Sequence, residues 1–131
     1  MIIDTSALLA ILLDEEERRL FNEAIEAAAS RAMSVATFVE VSIAIESRFG
    51  AGGTRDLDLF INQAGIEIAD VDQDQGRLAR QAFIRFGKGR HPAGLNYGDC
   101  FAYALAVARG ESLLYKGTDF ALTDITSAVP R

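Results

Sequence analysis

Apolar positions along the chain follow two spacings, one typical of short buried strands and the other typical of helices. Short apolar runs predict strands at residues 1–3, 31–34, 66–71 and 112–115. Apolar residues that recur every three or four positions predict helices at residues 7–13, 14–29, 35–49, 56–64, 72–86 and 96–109. This alternation predicts an α/β fold with a mainly parallel sheet, helices on both faces and a ligand crevice at the carboxyl ends of the strands.

Glycines and prolines mark the predicted connections. Gly50 is expected to end the helix at 35–49, and residues 51–54 then form a glycine-rich turn. Residues 87–95 form a loop with three glycines, a proline and several basic side chains. Residues 123–129 are a candidate edge strand at the end of the chain.

Length and composition predict one domain, residues 1–131, because half of the 131 residues are hydrophobic and one core of ordinary size accounts for them. With a formal net charge of −6, nucleic acid could be bound only through a local basic patch and metal cations. Cys100 is the sole cysteine, which excludes an intramolecular disulfide. The start of the chain lacks a signal peptide pattern and no apolar run is long enough for a membrane span, so we expect a cytoplasmic protein.

Two acidic residues follow predicted strands. Asp4 comes directly after residues 1–3, although an Asp here also suits the N-cap of the next helix. Asp119 follows the strand at 112–115, where an Asp also suits a turn. Asp124 is a lower-ranked substitute because it lies further from the strand end.

Two more acidic residues belong to predicted helices. Glu40 has mostly apolar neighbours, and an unpaired buried carboxylate is costly. A capping box with Thr37 would also explain Glu40, but Ser34 is the better candidate cap. Asp99 is equally compatible with a capping box, in which Asn96 would be the N-cap.

Together these acids predict a metal site in the crevice of the sheet. Carboxylates with little histidine or cysteine select hard cations such as Mg²⁺ or Mn²⁺. His91 and Cys100 are each alone, which excludes a structural zinc cluster. Four neighbouring carboxylates repel one another and are tolerable when a divalent cation is bound. That cation can then activate water and bind a phosphate oxygen.

The motifs carrying these acids resemble those of the PIN-domain ribonucleases, and most closely the VapC-type toxins of bacterial toxin–antitoxin pairs. They are Met-Ile-Ile-Asp4-Thr-Ser-Ala, Glu40 in the third helix, Asn96-Tyr-Gly-Asp99 and Lys116-Gly-Thr-Asp119-Phe. The resemblance implies a PIN-like sheet of about five parallel strands and a homodimer. It also implies Mg²⁺- or Mn²⁺-dependent endoribonuclease activity, with tRNA or rRNA as substrate. A cognate VapB-type antitoxin would neutralise the toxin and form a higher assembly with it.

The resemblance also assigns roles to residues. Asp4, Glu40, Asp99 and Asp119 would be both the catalytic acids and the metal ligands, while Thr5, Ser6 and Asn96 would hold these ligands or their waters. We further predict candidate RNA contacts, which are Lys88, Arg90, His91, Tyr97 and Lys116. Each basic residue could instead be a solvated surface charge, and this alternative is favoured for Arg48 and for His91 as a general acid. Tyr97 could stack a base or lie at the edge of the core.

Other acidic α/β proteins fit the sequence less well. A two-component receiver domain needs paired acids after its first strand and a phospho-accepting Asp after its third. A phosphatase of the haloacid dehalogenase type needs Asp-x-Asp where this chain has Asp4-Thr5-Ser6. An inactive PIN-like binding module remains an alternative that an activity assay must decide.

Overall fold

A computed structural model describes residues 1–130, and it places short strands between longer helices. The strands are β1 (Ile2–Ile3), β2 (Ala32–Ser34), β3 (Glu67–Ala69) and β4 (Leu113–Leu114). The helices are α1 (Thr5–Leu12), α2 (Arg18–Ala27), α3 (Val35–Ala64), α4 (Gln73–Phe86) and α5 (Tyr97–Arg109). A short 3₁₀ turn (Phe120–Leu122) follows β4.

The sheet is parallel throughout, in the order β3-β2-β1-β4. Ile2 on β1 is in register with Ala32 on one side and with Leu113 on the other. This confirms the predicted parallel α/β architecture. Within residues 1–130 four strands form rather than about five, because the predicted edge strand at 123–129 contributes only one parallel bridge, between Leu113 and Ser127.

Two apolar clusters cover the two faces of the sheet. Successive residues of a strand point to opposite faces, and accordingly Ile2 packs with Phe86 and Leu105 of α4 and α5. Its neighbour Ile3 packs with Leu8 and Val41 of α1 and α3. The prediction of helices on both faces is therefore confirmed. No helix within residues 1–130 combines the length and apolarity that crossing a membrane would require.

Two predicted boundaries are wrong. The expected turn at 51–54 lies inside α3, which is interrupted only at Gly50, where φ is 69° and ψ is −157°. Glycine accepts this left-handed φ without a steric penalty, so the helix kinks at one residue and resumes at the next. The second helix begins at Arg18 instead of Asp14, because residues 14–17 form a turn in which Asp14 has a φ of 55°.

Candidate acidic site

Asp4 lies at the carboxyl end of β1 and serves as the N-cap of α1. Its Oδ2 accepts hydrogen bonds from the Ser6 backbone N–H at 3.0 Å and from Ser6 Oγ at 2.6 Å. The side chain is 3 % exposed. Its second oxygen, Oδ1, is buried and has no hydrogen-bond partner among residues 1–130. The N-cap interpretation of Asp4 is therefore confirmed for Oδ2, while Oδ1 takes no part in the cap.

The pKa of Asp4 is affected by two of the other predicted acids. Burial raises the pKa of Asp4 to about 6, and the two hydrogen bonds from Ser6 oppose this shift. The negative charges of Asp99 and Glu40 raise the pKa of Asp4 further. The charges of three of the predicted acids therefore act on one another where β1, α3 and α5 come together.

Glu40 lies in the second turn of α3. Ser34 caps the helix, with its Oγ accepting from the Ala36 N–H at 3.2 Å, so the alternative of a Thr37 capping box is wrong. Thr5 Oγ1 donates to Glu40 Oε1 at 2.5 Å. The helix around Glu40 is less buried than its sequence predicts, since Ile43 is 62 % exposed. Glu40 is thus held by the Thr5 hydroxyl and not by an apolar surrounding.

Asp99 occupies the first turn of α5, where the predicted capping box is present. Asn96 Oδ1 accepts from the Asp99 N–H at 2.9 Å, and Asp99 Oδ2 accepts from the Asn96 N–H at 3.0 Å. Burial raises the pKa of Asp99, the Asn96 N–H opposes this, and the charges of Glu40 and Asp119 add to the rise. Asn96 therefore orients Asp99 through the capping box.

Ser6 connects Asp4 with the loop that carries the fourth acid. While its hydroxyl donates to Asp4, the same oxygen accepts from the Lys116 backbone N–H at 2.9 Å. Sequence reasoning did not predict this link between residues 110 positions apart. The Lys116 ammonium, a candidate RNA contact, forms ion pairs with Glu15 at 3.2 Å and with Glu17 at 3.5 Å. The Lys116 ammonium is therefore already paired with carboxylates of the protein itself.

Asp119 is exposed and begins the 3₁₀ turn after β4. Its charge acts on Asp99, which places it at the outer side of the cluster. Asp124, the weighed substitute, instead accepts from Tyr103 Oη at 2.7 Å and from Arg85 Nη2 at 3.3 Å. Of these two candidates, Asp119 acts electrostatically on Asp99, whereas Asp124 is paired with Tyr103 and Arg85.

The basic loop before α5 is ordered by its own contacts. Lys88 and Arg90 are exposed, and the Arg90 guanidinium lies 5.6 Å from the centre of the Phe83 ring. His91 Nδ1 accepts from the Ala93 N–H at 3.0 Å, which gives this histidine a role in holding the loop. Tyr97 is 76 % exposed, and its ring packs edge-on against that of Phe101 with the ring centres 4.9 Å apart.

One residue that the sequence did not single out is in close contact with Glu40. A Cβ atom added to Gly98, in the first turn of α5, would lie 2.1 Å from Glu40 Oε2 and 2.7 Å from Oε1. The carboxylate therefore lies directly against the Gly98 backbone. The sequence shows only that a glycine stands between Tyr97 and Asp99. Its contact with Glu40 could not be predicted, because Glu40 belongs to another helix.

These residues fit a hard divalent cation by their chemistry. The donors are carboxylate oxygens, their charges repel one another, and Asp4 Oδ1 is a buried acceptor with no donor among the described residues. Within residues 1–130 no three His, Cys, Asp or Glu side chains converge closely enough to coordinate one ion as they stand. The acids are thus grouped electrostatically without forming a closed coordination shell.

Comparisons with known proteins identify the family of the chain. The family model of the PIN domain matches residues 1–125. A ribonuclease VapC from Mycolicibacterium smegmatis is 53 % identical over 127 residues, which are 97 % of this chain and 98 % of that protein. Ribonuclease VapC30 from Mycobacterium tuberculosis is 51 % identical over 131 residues, which are 99 % of this chain and 100 % of that protein.

Solved structures share the fold at much lower identity. The crystal structure of Mycobacterium tuberculosis VapC20, described as a toxin that cleaves the sarcin–ricin loop, has a TM-score of 0.78 at 14 % identity and covers 98 % of both chains. VapBC2 from Rickettsia felis, bound to a DNA fragment from its promoter, has a TM-score of 0.75 at 12 % identity and covers 96 % of this chain and 95 % of its own. By its fold, its acidic motifs and its relatives, the chain belongs to the PIN-domain family, in the group of the VapC proteins.

Proposed function

We propose that this protein is a Mg²⁺- or Mn²⁺-dependent endoribonuclease and the toxin of a toxin–antitoxin pair. The observation that carries the proposal is that Asp4 and Asp99 are buried acids whose pKa values the neighbouring negative charges raise: Asp99 and Glu40 act on Asp4, and Glu40 and Asp119 act on Asp99. Relatives named ribonucleases, at 51–53 % identity, align with 97–99 % of the chain, so the acids belong to a full-length likeness.

The four carboxylates would hold the cation, which supplies activation of water and neutralises charge on the phosphate when bound. The chain's own residues prepare this site. Ser6 fixes one oxygen of Asp4 and leaves the other, buried oxygen without a donor among residues 1–130, and Thr5 holds Glu40. Asp99, whose pKa is raised by burial, is suited to accept the proton of the attacking water. Asn96 holds Asp99 in place for that transfer.

RNA would reach the acids past the loop at 87–95 and the exposed ring of Tyr97. On a chain with a net charge of −6, the exposed Lys88 and Arg90 supply local positive charge for the phosphate backbone. The exposed ring of Tyr97, which contacts Phe101 in the same helix, is a candidate to stack a base. Lys116 is a weaker candidate, because its ammonium is paired with Glu15 and Glu17.

We propose a cognate VapB-type antitoxin and a second copy of the chain as protein partners. Large apolar side chains are exposed on α3, including Ile43, Phe49 and Leu59, and protein partners would cover surfaces of this kind. Co-expression with the gene of a short adjacent DNA-binding protein, followed by purification and mass measurement in solution, tests both partners. Recovery of the chain alone as a monomer would contradict them.

The activity is tested by incubating purified protein with total cellular RNA in Mg²⁺ or Mn²⁺ and in EDTA. Discrete fragments that require the metal are expected from the wild type. Asp4→Asn, Glu40→Gln and Asp99→Asn should each abolish them. Asp70→Asn is the matched control, since Asp70 also follows a strand of the sheet but is exposed at its far edge. It should cleave as the wild type does.

The outcomes separate the nuclease from an inactive binding module. The nuclease proposal fails if the wild type produces no fragments beyond those of the Asp4→Asn protein. If that inert wild type still binds Mn²⁺, the PIN-like binding module becomes the better interpretation. Sequencing the fragment ends identifies the RNA and the bond that is cut.

A further inference from the structure

The contact between Gly98 and Glu40 joins two helices at the centre of the acidic cluster. A Cβ on Gly98 would lie 2.1 Å from Glu40 Oε2, 2.6 Å from Cδ and 2.7 Å from Oε1. All three distances are far below van der Waals contact. The whole carboxylate group therefore lies over the Cα of Gly98, and any side chain there would displace it.

The backbone at position 98 gives no separate reason for a glycine. Gly98 is the second residue of α5 and does not have a positive φ. Alanine is a better helix former than glycine by about 1 kcal/mol in such a conformation. Asn96 and Asp99 already cap this helix through their mutual hydrogen bonds. Local helix formation would thus favour a residue other than glycine.

We propose that Gly98 is a positioning residue for the acidic site, because its missing side chain is what allows the Glu40 carboxylate to lie beside Asp99. Thr5 holds Glu40 from one side by its hydroxyl, and the bare backbone of Gly98 receives it on the other. The inference rests on the proposed metal-dependent function, since its consequence is a correctly placed metal ligand.

The geometry separates this role from a structural one. The atoms that a Cβ would meet belong to the end of a flexible Glu side chain, which is partly exposed and can rotate away. Gly98→Ala should therefore fold normally, with Glu40 displaced from Thr5. By contrast, a Cβ on Gly87 would lie 2.4 Å from the backbone oxygen of Phe83, which cannot move without a change in the fold.

The test compares metal affinity and stability in the same variants. Binding of Mn²⁺ is measured by calorimetry without RNA, and thermal unfolding is measured in EDTA. Gly98→Ala should bind Mn²⁺ about tenfold more weakly, in the range found when residues that orient metal ligands are replaced. Its unfolding temperature in EDTA should equal or exceed that of the wild type. Gly52→Ala is the control, since a Cβ there meets nothing within 4 Å.

A shorter carboxylate provides the rescue experiment. In Glu40→Asp the carboxylate is drawn back by one methylene, away from the place that an alanine Cβ would occupy. Adding Gly98→Ala to Glu40→Asp should therefore cause no further loss of Mn²⁺ affinity. Such non-additivity indicates that the two residues act through their contact.

The possible results are distinct. If the wild type binds Mn²⁺ and Gly98→Ala binds it equally well, the inference about Gly98 is wrong while the proposed function stands. An equal loss of affinity in both the wild-type and the Glu40→Asp backgrounds also overturns it. If the wild type itself binds no Mn²⁺ and cleaves no RNA, the failure lies with the proposed function.

Discussion

At the scale of single residues, Asp4 is both the N-cap of α1 and one of the acids of the candidate site. Oδ2 accepts the two hydrogen bonds that begin α1, and Oδ1 is left buried without a donor in residues 1–130. The cost of this arrangement appears in the pKa of Asp4, which burial raises to about 6. The ionised carboxylate of Asp4 therefore destabilises the metal-free fold.

The pH dependence of stability follows from this shift. Asp4 titrates near 3.8 in an unfolded chain and near 6 in the fold. As pH rises between these values the unfolded state loses its proton first, so stability falls across that window and remains lower above it. We expect Asp4→Asn, in EDTA at neutral pH, to be more stable than the wild type by about 2 kcal/mol. Denaturant unfolding measures this difference, which should disappear at a pH of about 4.

Asp72→Asn is the control for this prediction. Asp72 caps α4 by accepting from the Gln75 N–H at 2.8 Å, and its side chain is exposed. Replacing an exposed cap of this kind should change stability by less than about 0.5 kcal/mol at either pH. A loss of stability in Asp4→Asn at neutral pH would show that the cap outweighs the buried charge.

The four acids were predictable from the sequence, but the residues that arrange them were predictable only in part. Asp4, Glu40, Asp99 and Asp119 come from short motifs at strand ends and helix starts, where the order of elements already indicates a crevice. The role of Gly98 depends on the close approach of α3 to α5. The pairing of Lys116 with Glu15 and Glu17 likewise depends on tertiary distances that no local pattern encodes.

At the scale of elements, Ser6 ties the start of α1 to the end of β4. Its hydroxyl bonds both Asp4 and the Lys116 N–H, so Ser6→Ala loses two hydrogen bonds and leaves a backbone donor unpaired. We expect a loss of about 1–2 kcal/mol in the free energy of unfolding. Hydrogen exchange at the Lys116 amide should become faster in this variant.

Ser42→Ala is the matched control for Ser6→Ala. Ser42 Oγ donates only within its own helix, to the Phe38 carbonyl oxygen at 2.6 Å. Its loss should therefore leave exchange at the Lys116 amide unchanged. Equal protection of that amide in the wild type and in Ser6→Ala would mean that the link does not hold the loop.

The kink in α3 explains one wrong element boundary and gives a further prediction. Three glycines within residues 50–53 indicated a turn, but only Gly50 has a positive φ, and the others continue the helix. Gly50→Ala should cost about 1–2 kcal/mol, because an L-residue is strained in the left-handed region. Gly52→Ala should instead stabilise the protein by about 0.5–1 kcal/mol. Denaturant unfolding of both variants tests this, and a gain in Gly50→Ala would contradict it.

At the scale of the whole molecule, the parallel architecture was predictable because strand and helix patterns alternate along the chain. The exact bounds of the strands were less predictable. β1 and β4 have only two residues each, and the tail pairs with β4 through a single bridge. Such short strands are defined by their neighbours in the sheet more than by their own sequence. The acids of the candidate site accordingly lie near the starts of helices and in a loop, and not within the strands.

The proposed binding of a divalent cation by the four carboxylates should stabilise the fold. Mutual repulsion and the burial of Asp4 and Asp99 oppose folding without metal. Binding to the folded state alone adds about 2.7 kcal/mol when the free ion is at 100 times its Kd.

We therefore expect Mn²⁺ to raise the unfolding temperature of the wild type and of Asp70→Asn. Asp4→Asn, more stable than the wild type in EDTA, should gain little from Mn²⁺, so that the order of stability reverses between the two conditions. An equal gain in both variants would place the binding of Mn²⁺ outside the acidic cluster.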